Sequence, residues 1–209
     1  MRLVKVLLSV IMFTTAAPVI ASDAGSVDTG GPIGEDGPSG FFLAVGDYYR
    51  VPQSEVIIIK QRGVPLYEIP VVLLIAKRTH VAPEYIMHVR LRGNAWLGAT
   101  LRFGLGPEIF YVPVGAVVKD PPYGKVYGYY KHKPKKEWKT ITLSDDDIIN
   151  LVNLKWMSEH YGYPAEKIIK MRSGGKEFVL INAEIRREKG KNKGYRVNKD
   201  RPKFGALAY

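Results

Sequence analysis

Cysteine is missing from this chain of 209 residues. That rules out disulfides, thiolate metal sites and covalently attached c-type haem, and it rules out lipidation at an N-terminal cysteine. Histidine is scarce as well. His80, His88, His132 and His160 stand apart, with no i, i+4 pair of the kind that binds zinc from one helix. No Gly-x-Ser-x-Gly nucleophile elbow occurs. Ser173-Gly174-Gly175-Lys176 lacks both the upstream glycine and the following Ser or Thr of a phosphate loop. Beyond the first twenty-one residues no apolar run approaches the roughly 20 residues of a membrane-spanning helix, the longest being Val71 to Ala76. No set of residues forms a recognisable active site, so no catalytic, cofactor-binding or metal-ligating residue is assigned and no cofactor is expected.

The ends and the charge come next. Arg2 and Lys5 precede an apolar core from Val6 to Ala17, and Val19-Ile20-Ala21 suits cleavage before Ser22. Residues 1–21 therefore read as a secretory signal peptide, and the expectation is a periplasmic or secreted protein of about 185 residues. Residues 22–40, rich in Gly, Ser, Asp and Pro, read as a disordered leader. Within it, Asp28-Thr29-Gly30 matches the aspartic-protease triplet but lacks flanking hydrophobic strands, so it is taken as coincidence.

The formal net charge is +11. Residues 119–139 carry seven lysines against Asp120 and Glu137, and residues 186–203 carry nine basic residues against Glu188 and Asp200. Once the two cations of the signal are set aside, everything outside those segments is slightly acidic. Basicity belongs to a connector and a tail. The polyanion-binding candidates are accordingly Lys131, Lys133, Lys135 and Lys136, together with Arg186, Arg187, Lys189, Lys191, Lys193, Arg196, Lys199, Arg201 and Lys203. In the connector, Tyr123, Tyr127, Tyr129 and Tyr130 interleave with lysines. Such tyrosines either stack on sugars or bases or pack back onto the helices, and the second alternative is the simpler.

What is present in abundance is helical periodicity. One spacing occurs three times, from Val51-Pro52 to Gly63, Val81-Ala82 to Gly93, and Tyr163-Pro164 to Gly175. Aligned on the glycine, apolar residues fall seven before it (Val56, Ile86, Ile168) and four before it (Ile59, Val89, Met171). They recur three after it (Leu66, Trp96, Phe178), six after it (Ile69, Ala99, Ile181) and ten after it (Leu73, Phe103, Ile185). Steps of three and four on both sides of a glycine predict two amphipathic helices joined by a tight turn. Pro52 and Pro164 mark helix starts, Gly63, Gly93 and Gly175 mark left-handed caps, and Trp96 and Phe178 are expected core anchors.

The predicted fold is all-α, with two small orthogonal helical blocks. Residues 41–113 hold two overlapping units, 114–143 form a basic connector, 144–190 hold the third unit, and 191–209 form a basic disordered tail. Predicted helices cover 41–49, 52–62, 65–79 (kinked or starting nearer Tyr67 because of Pro70), 83–92, 94–104, 144–160 and 176–188. Ser144 is the expected N-cap of the helix opened by Asp145, Asp146 and Asp147. Those three point about 100° apart and suit the helix dipole better than a single ion.

Pro83…Gly93-Asn94-Ala95-Trp96, Leu101…Gly104-Leu105, Pro121-Pro122-Tyr123-Gly124-Lys125-Val126-Tyr127-Gly128 and Leu143-Ser144-Asp145-Asp146-Asp147-Ile148 resemble segments of a family of exported bacterial proteins. The resemblance spans about residues 41–190. It implies export and a helical fold and transfers no function.

The first functional class is an exported, non-catalytic binding or scaffolding module. It would associate with anionic envelope polymers or lipids, or with another envelope protein. A second class is an enzyme acting on cell wall or polysaccharide through carboxylates among Glu55, Glu84, Glu108 and Glu166. A third is a nucleic-acid-binding helix-turn-helix protein, for which Gly93 to Leu105 is the nearest stretch. Export, the few polar residues on the second helices and the placement of the charge oppose the third. Lys60, Arg90 and Arg172, three before each glycine, fit capping of helix C-termini better than phosphate contact.

Overall fold

Apolar residues at helical spacing fold into α-helices throughout the 37–191 segment, the part of the chain that the computed structural model describes. No strand occurs among these residues. The predicted signal peptide, most of the predicted leader and Lys193, Arg196, Lys199, Arg201 and Lys203 lie outside them. None of the described helices is long and apolar enough to cross a membrane.

Helix α1 (Pro38–Tyr49) begins three residues before the expected Phe41, with Pro38 in its first turn, where a missing N–H costs nothing. Helix α2 (Gln53–Gln61) follows. A 3-10 turn at Leu66–Glu68 then leads into α3 (Ile69–Thr79), so Pro70 falls in the first turn and no kink is needed. Helices α4 (Pro83–Leu91) and α5 (Trp96–Arg102) come next. After a 3-10 turn at Pro107–Phe110, residues 114–143 depart from the expected connector. They contain α6 (Gly124–Lys131) and a 3-10 helix at Lys135–Thr140. The chain ends in α7 (Asp145–Tyr161), α8 (Ala165–Ser173) and α9 (Phe178–Lys191).

Helix α9 also departs from the sequence reading, which ended it near residue 188 and placed Arg186 onward in a tail. Arg, Glu and Lys are good helix formers, and Ile185 is fully buried beneath this stretch. The Tyr163 hydroxyl donates to Glu188 at 2.9 Å and ties down the last turns. Arg186, Arg187, Lys189 and Lys191 are therefore helical.

The three aligned segments have the same local geometry. Pro52, Ala82 and Pro164 are N-caps with φ of −57°, −59° and −57°. Each helix that follows has nine residues. Gly63, Gly93 and Gly175 have φ of 96°, 84° and 85°, a region that only glycine enters readily. Val56, Ile86 and Ile168 are fully buried, as are Trp96, Phe178, Ile69, Ala99 and Ile181.

All described residues belong to one compact unit, and their buried side chains form one cluster. Helix α3 packs on α7, and α1 packs on α2, α9 and α7. Phe41 of α1 meets Trp156 of α7 edge-on with ring centroids 5.4 Å apart, and Tyr67 meets Phe178 at 5.4 Å. Side chains from 41–113 and from 144–190 thus share a core. Asn153, on α7 at the centre of that core, is fully satisfied. It donates to the carbonyls of Tyr67 and Ile149 and accepts from Trp156 Nε1.

Candidate functional site

The polar groups singled out by sequence divide into those turned inward and those left facing solvent. Arg90 and Arg172 belong to the first set. Arg90 donates to both oxygens of Glu68 at 2.8 Å, to Asp145 at 2.7 Å and to the Asn94 carbonyl at 3.0 Å. Arg172 donates to the Asn150 side chain and to the Lys176 carbonyl. Each guanidinium also lies over the aromatic ring six residues on, 5.0 Å from Trp96 and 4.9 Å from Phe178. These two cations close the turn after their own helix by binding the carbonyl four residues on, not the last carbonyls of the helix, while Lys60, the third of the set, is exposed.

The carboxylates of the predicted enzyme class do not form one group. Glu166 accepts from Gly115 N–H and from its own backbone N–H, which hold its carboxyl below the usual range. It ties Gly115 to the start of α8. Burial, and then the charge of Glu84, push the Glu55 carboxyl up, so those two acids sense each other across the starts of α2 and α4. Glu108 folds back over Gly106, where a Cβ would collide with its carboxylate. The three aspartates also separate: Asp145 serves Arg90 and Trp96, while Asp147 completes a capping box with Ser144.

The connector tyrosines follow the simpler of the two expectations, with one exception. Tyr123, Tyr127 and Tyr130 are buried, and their hydroxyls donate to the carbonyls of Asn150, Val112 and Pro107. Burial drives their phenols well above the ordinary value of 10.0. Trp138 stacks on Tyr111 and Tyr130, and its indole N–H donates to the carbonyls of Lys133 and Tyr130. Gly124 lets α6 start against the Lys119 carbonyl, where any Cβ would clash. With its rings inside, the segment presents its lysines outward from a fixed scaffold. Lys125, Lys131, Lys135, Lys136 and Lys139 are exposed.

Tyr129 is the exception. It stays half-exposed one turn after Lys125, whose ammonium lies 5.9 Å from its ring centroid. Both line a groove of about 460 Å³ between α6 and the extended residues 140–144. That wall alternates as an extended chain must: Ile141 and Leu143 are buried, while Thr140, Thr142 and Ser144 face out. Lys133, just past the end of α6, donates to the Thr140 hydroxyl at 2.8 Å across the groove. Asp147 closes the far end. Neither the Thr142 hydroxyl nor the Lys125 ammonium has a hydrogen bond or ion pair among the described residues. The groove was hidden from sequence reasoning because its two walls meet only in the fold. The one available signal was the alternation of Thr and apolar residues before Ser144.

No known protein family, curated protein or solved structure matches this chain.

Proposed function

We propose that this is an exported, non-catalytic helical binding module. It associates with anionic polymers or surfaces of the bacterial envelope through the cations of 119–139, joined by those of α9 and the residues after it. One observation carries this reading: the connector's aromatic rings, Tyr129 apart, are committed to the core while its lysines project from an ordered scaffold. A cationic face held in place binds anions without losing the entropy that a flexible loop must give up. Arg90, Arg172 and Glu166 are engaged in capping and turn closure, which leaves the folded body little equipment for catalysis. The fold is further read as three copies of one helix-turn-helix-like unit, which share one core instead of forming the two separate blocks expected from sequence. The matching caps, left-handed glycines and arginine-over-ring contacts support that reading.

The experiment is a binding titration of the mature protein against lipopolysaccharide, anionic vesicles and DNA at low and physiological salt. Binding should weaken steeply with salt, since each neutralised anion releases counterions. Lys131→Gln, Lys135→Gln and Lys136→Gln combined should lower the salt dependence by about 3 in log–log slope while the fold is kept. If nothing anionic binds at low salt, or if the triple variant binds as the parent does, the reading fails.

A further inference from the structure

We infer that the groove between α6 and residues 140–144 is a binding site for an anionic sugar unit, a pyranose bearing a carboxylate or phosphate. The inference rests on the polyanion reading above and supplies its recognition element. Three properties of the groove converge on this chemistry.

The first is a cation poised over a ring at the edge of the groove. Lys125 has no hydrogen bond or ion pair among the described residues, and Tyr129 is the one tyrosine of the 123–130 run that packs on the core without being buried by it. Its ring gives an apolar face and its phenol a donor, the pairing that favours wet, amphipathic ligands. The second is the wall of hydroxyls. Thr140, Thr142 and Ser144 recur at every second residue of an extended chain, about 7 Å apart. Thr140 and Ser144 already donate to Glu137 and Asp147 and accept from Lys133 and the Asp147 N–H, so Thr142 is the hydroxyl left to donate to and accept from the ring hydroxyls of a sugar. The third is the balance of charge. Lys125 and Lys133 face a single carboxylate, Asp147, one oxygen of which is already held by Ser144. The lysines thus favour the acidic substituent of the sugar. At about 460 Å³ the groove falls within the roughly 300–1,000 Å³ of small-ligand sites.

A nucleotide shares the anion but fits less well. It gains most from a base held against an aromatic platform, whereas this groove pairs its single ring with a polar wall.

The test is a calorimetric titration of the full chain with trigalacturonate, glucose 6-phosphate, maltotriose and a thymidine trinucleotide. At least one acidic sugar should bind, and maltotriose should bind about tenfold more weakly, as expected where a charged contact is lost. Lys125→Gln, a surface change, and Tyr129→Ala, which also trims the edge of the core, should each weaken acidic-sugar binding about tenfold, in line with the loss of one stacking or charged contact. Tyr129→Phe should retain most of it, and circular dichroism should show each variant folded. The Lys131, Lys135 and Lys136 triple variant, whose lysines do not line the groove, should bind the short probes as the parent does.

The inference is overturned if neither acidic sugar binds, if maltotriose binds as well, if Tyr129→Ala and Lys125→Gln have no effect, or if the trinucleotide binds most tightly. Loss of the short probes with retained, lysine-dependent binding to long polymers would remove the groove assignment alone. Polymer binding indifferent to the triple variant would instead remove the cationic-face reading.

Discussion

The carboxylate of Asp145 holds Arg90 with one oxygen and the backbone N–H of Trp96 with the other, each at 2.7 Å. A residue in the first turn of α7 thereby caps α5 and fixes the C-terminal end of α4. Asp145→Ala should cost about 1–3 kcal/mol, combining a lost cap with a weakened ion pair. Arg90→Met should cost more, about 3–5 kcal/mol, because it leaves the buried Glu68 without its partner. Adding Glu68→Met should recover part of that loss. Urea denaturation of the single and double variants checks this, and an Arg90→Met variant as stable as the parent would refute it.

Trp96 and Phe178 are fully buried at equivalent places after their glycines. Replacing either with alanine should cost about 3–5 kcal/mol. Trp96→Phe should cost much less than Trp96→Ala, since the indole Nε1 has no acceptor among the described residues and only volume is lost. Thermal melts of the three variants provide the comparison. Equal losses for Phe and Ala at position 96 would mean that the indole N–H matters after all.

At Asn153 the expectation is reversed, because polarity outweighs volume. Asn153→Leu fills the space but strands the Tyr67 carbonyl and the Trp156 N–H, each worth about 1–3 kcal/mol when buried without a partner. The leucine variant should fall well below the parent in stability despite its filled volume. Chemical denaturation showing a leucine variant near parental stability would count against the argument.

Alkali should unfold the protein cooperatively. Burial first, and neighbouring acids or phenols second, raise the phenols of Tyr48 and Tyr49 above 10.0. Tyr67 and Tyr163 are pushed up to about 12. Tyr123, Tyr127 and Tyr130 are raised as well. A raised folded value means that the unfolded chain loses protons first. The stability from these groups is therefore fully present below pH 10 and declines as pH climbs above it. Tyrosinate absorbance near 295 nm should rise together with the loss of helical circular dichroism. A smooth titration centred near pH 10 with the helices intact would contradict this.

Local signals were the legible ones. Ser144 reads as an N-cap from sequence, and the structure bears this out and adds a reciprocal bond from Asp147 that completes a capping box. The glycine-centred spacing located Val56, Ile86, Trp96 and Phe178 in the core because helical period needs no knowledge of partners. Helix α6 escaped because Gly124, Gly128 and three tyrosines make a weak helix in isolation. Its stability comes from distant carbonyls such as those of Val112 and Pro107. The end of α9 escaped for a different reason. Charge density was read as disorder, although Tyr163 and Glu188 meet only after the chain turns back. The groove needed both walls, so sequence supplied its lysines and tyrosines but not which of them would face it.

The turn between α3 and α4 sets one backbone conformation against two residue types. His80 sits at φ 58° and ψ 30°, and Gly162, at the matching place after α7, sits at φ 55° and ψ 38°. Left-handed geometry costs an ordinary residue about 1–2 kcal/mol. Glycine escapes that strain but enlarges the unfolded ensemble, a penalty of about 0.5–1 kcal/mol. The two effects oppose each other and leave glycine ahead by only about 0.5–1 kcal/mol, so the bend does not depend on a glycine. Position 80 is a place where chemistry can change while the path of the chain does not.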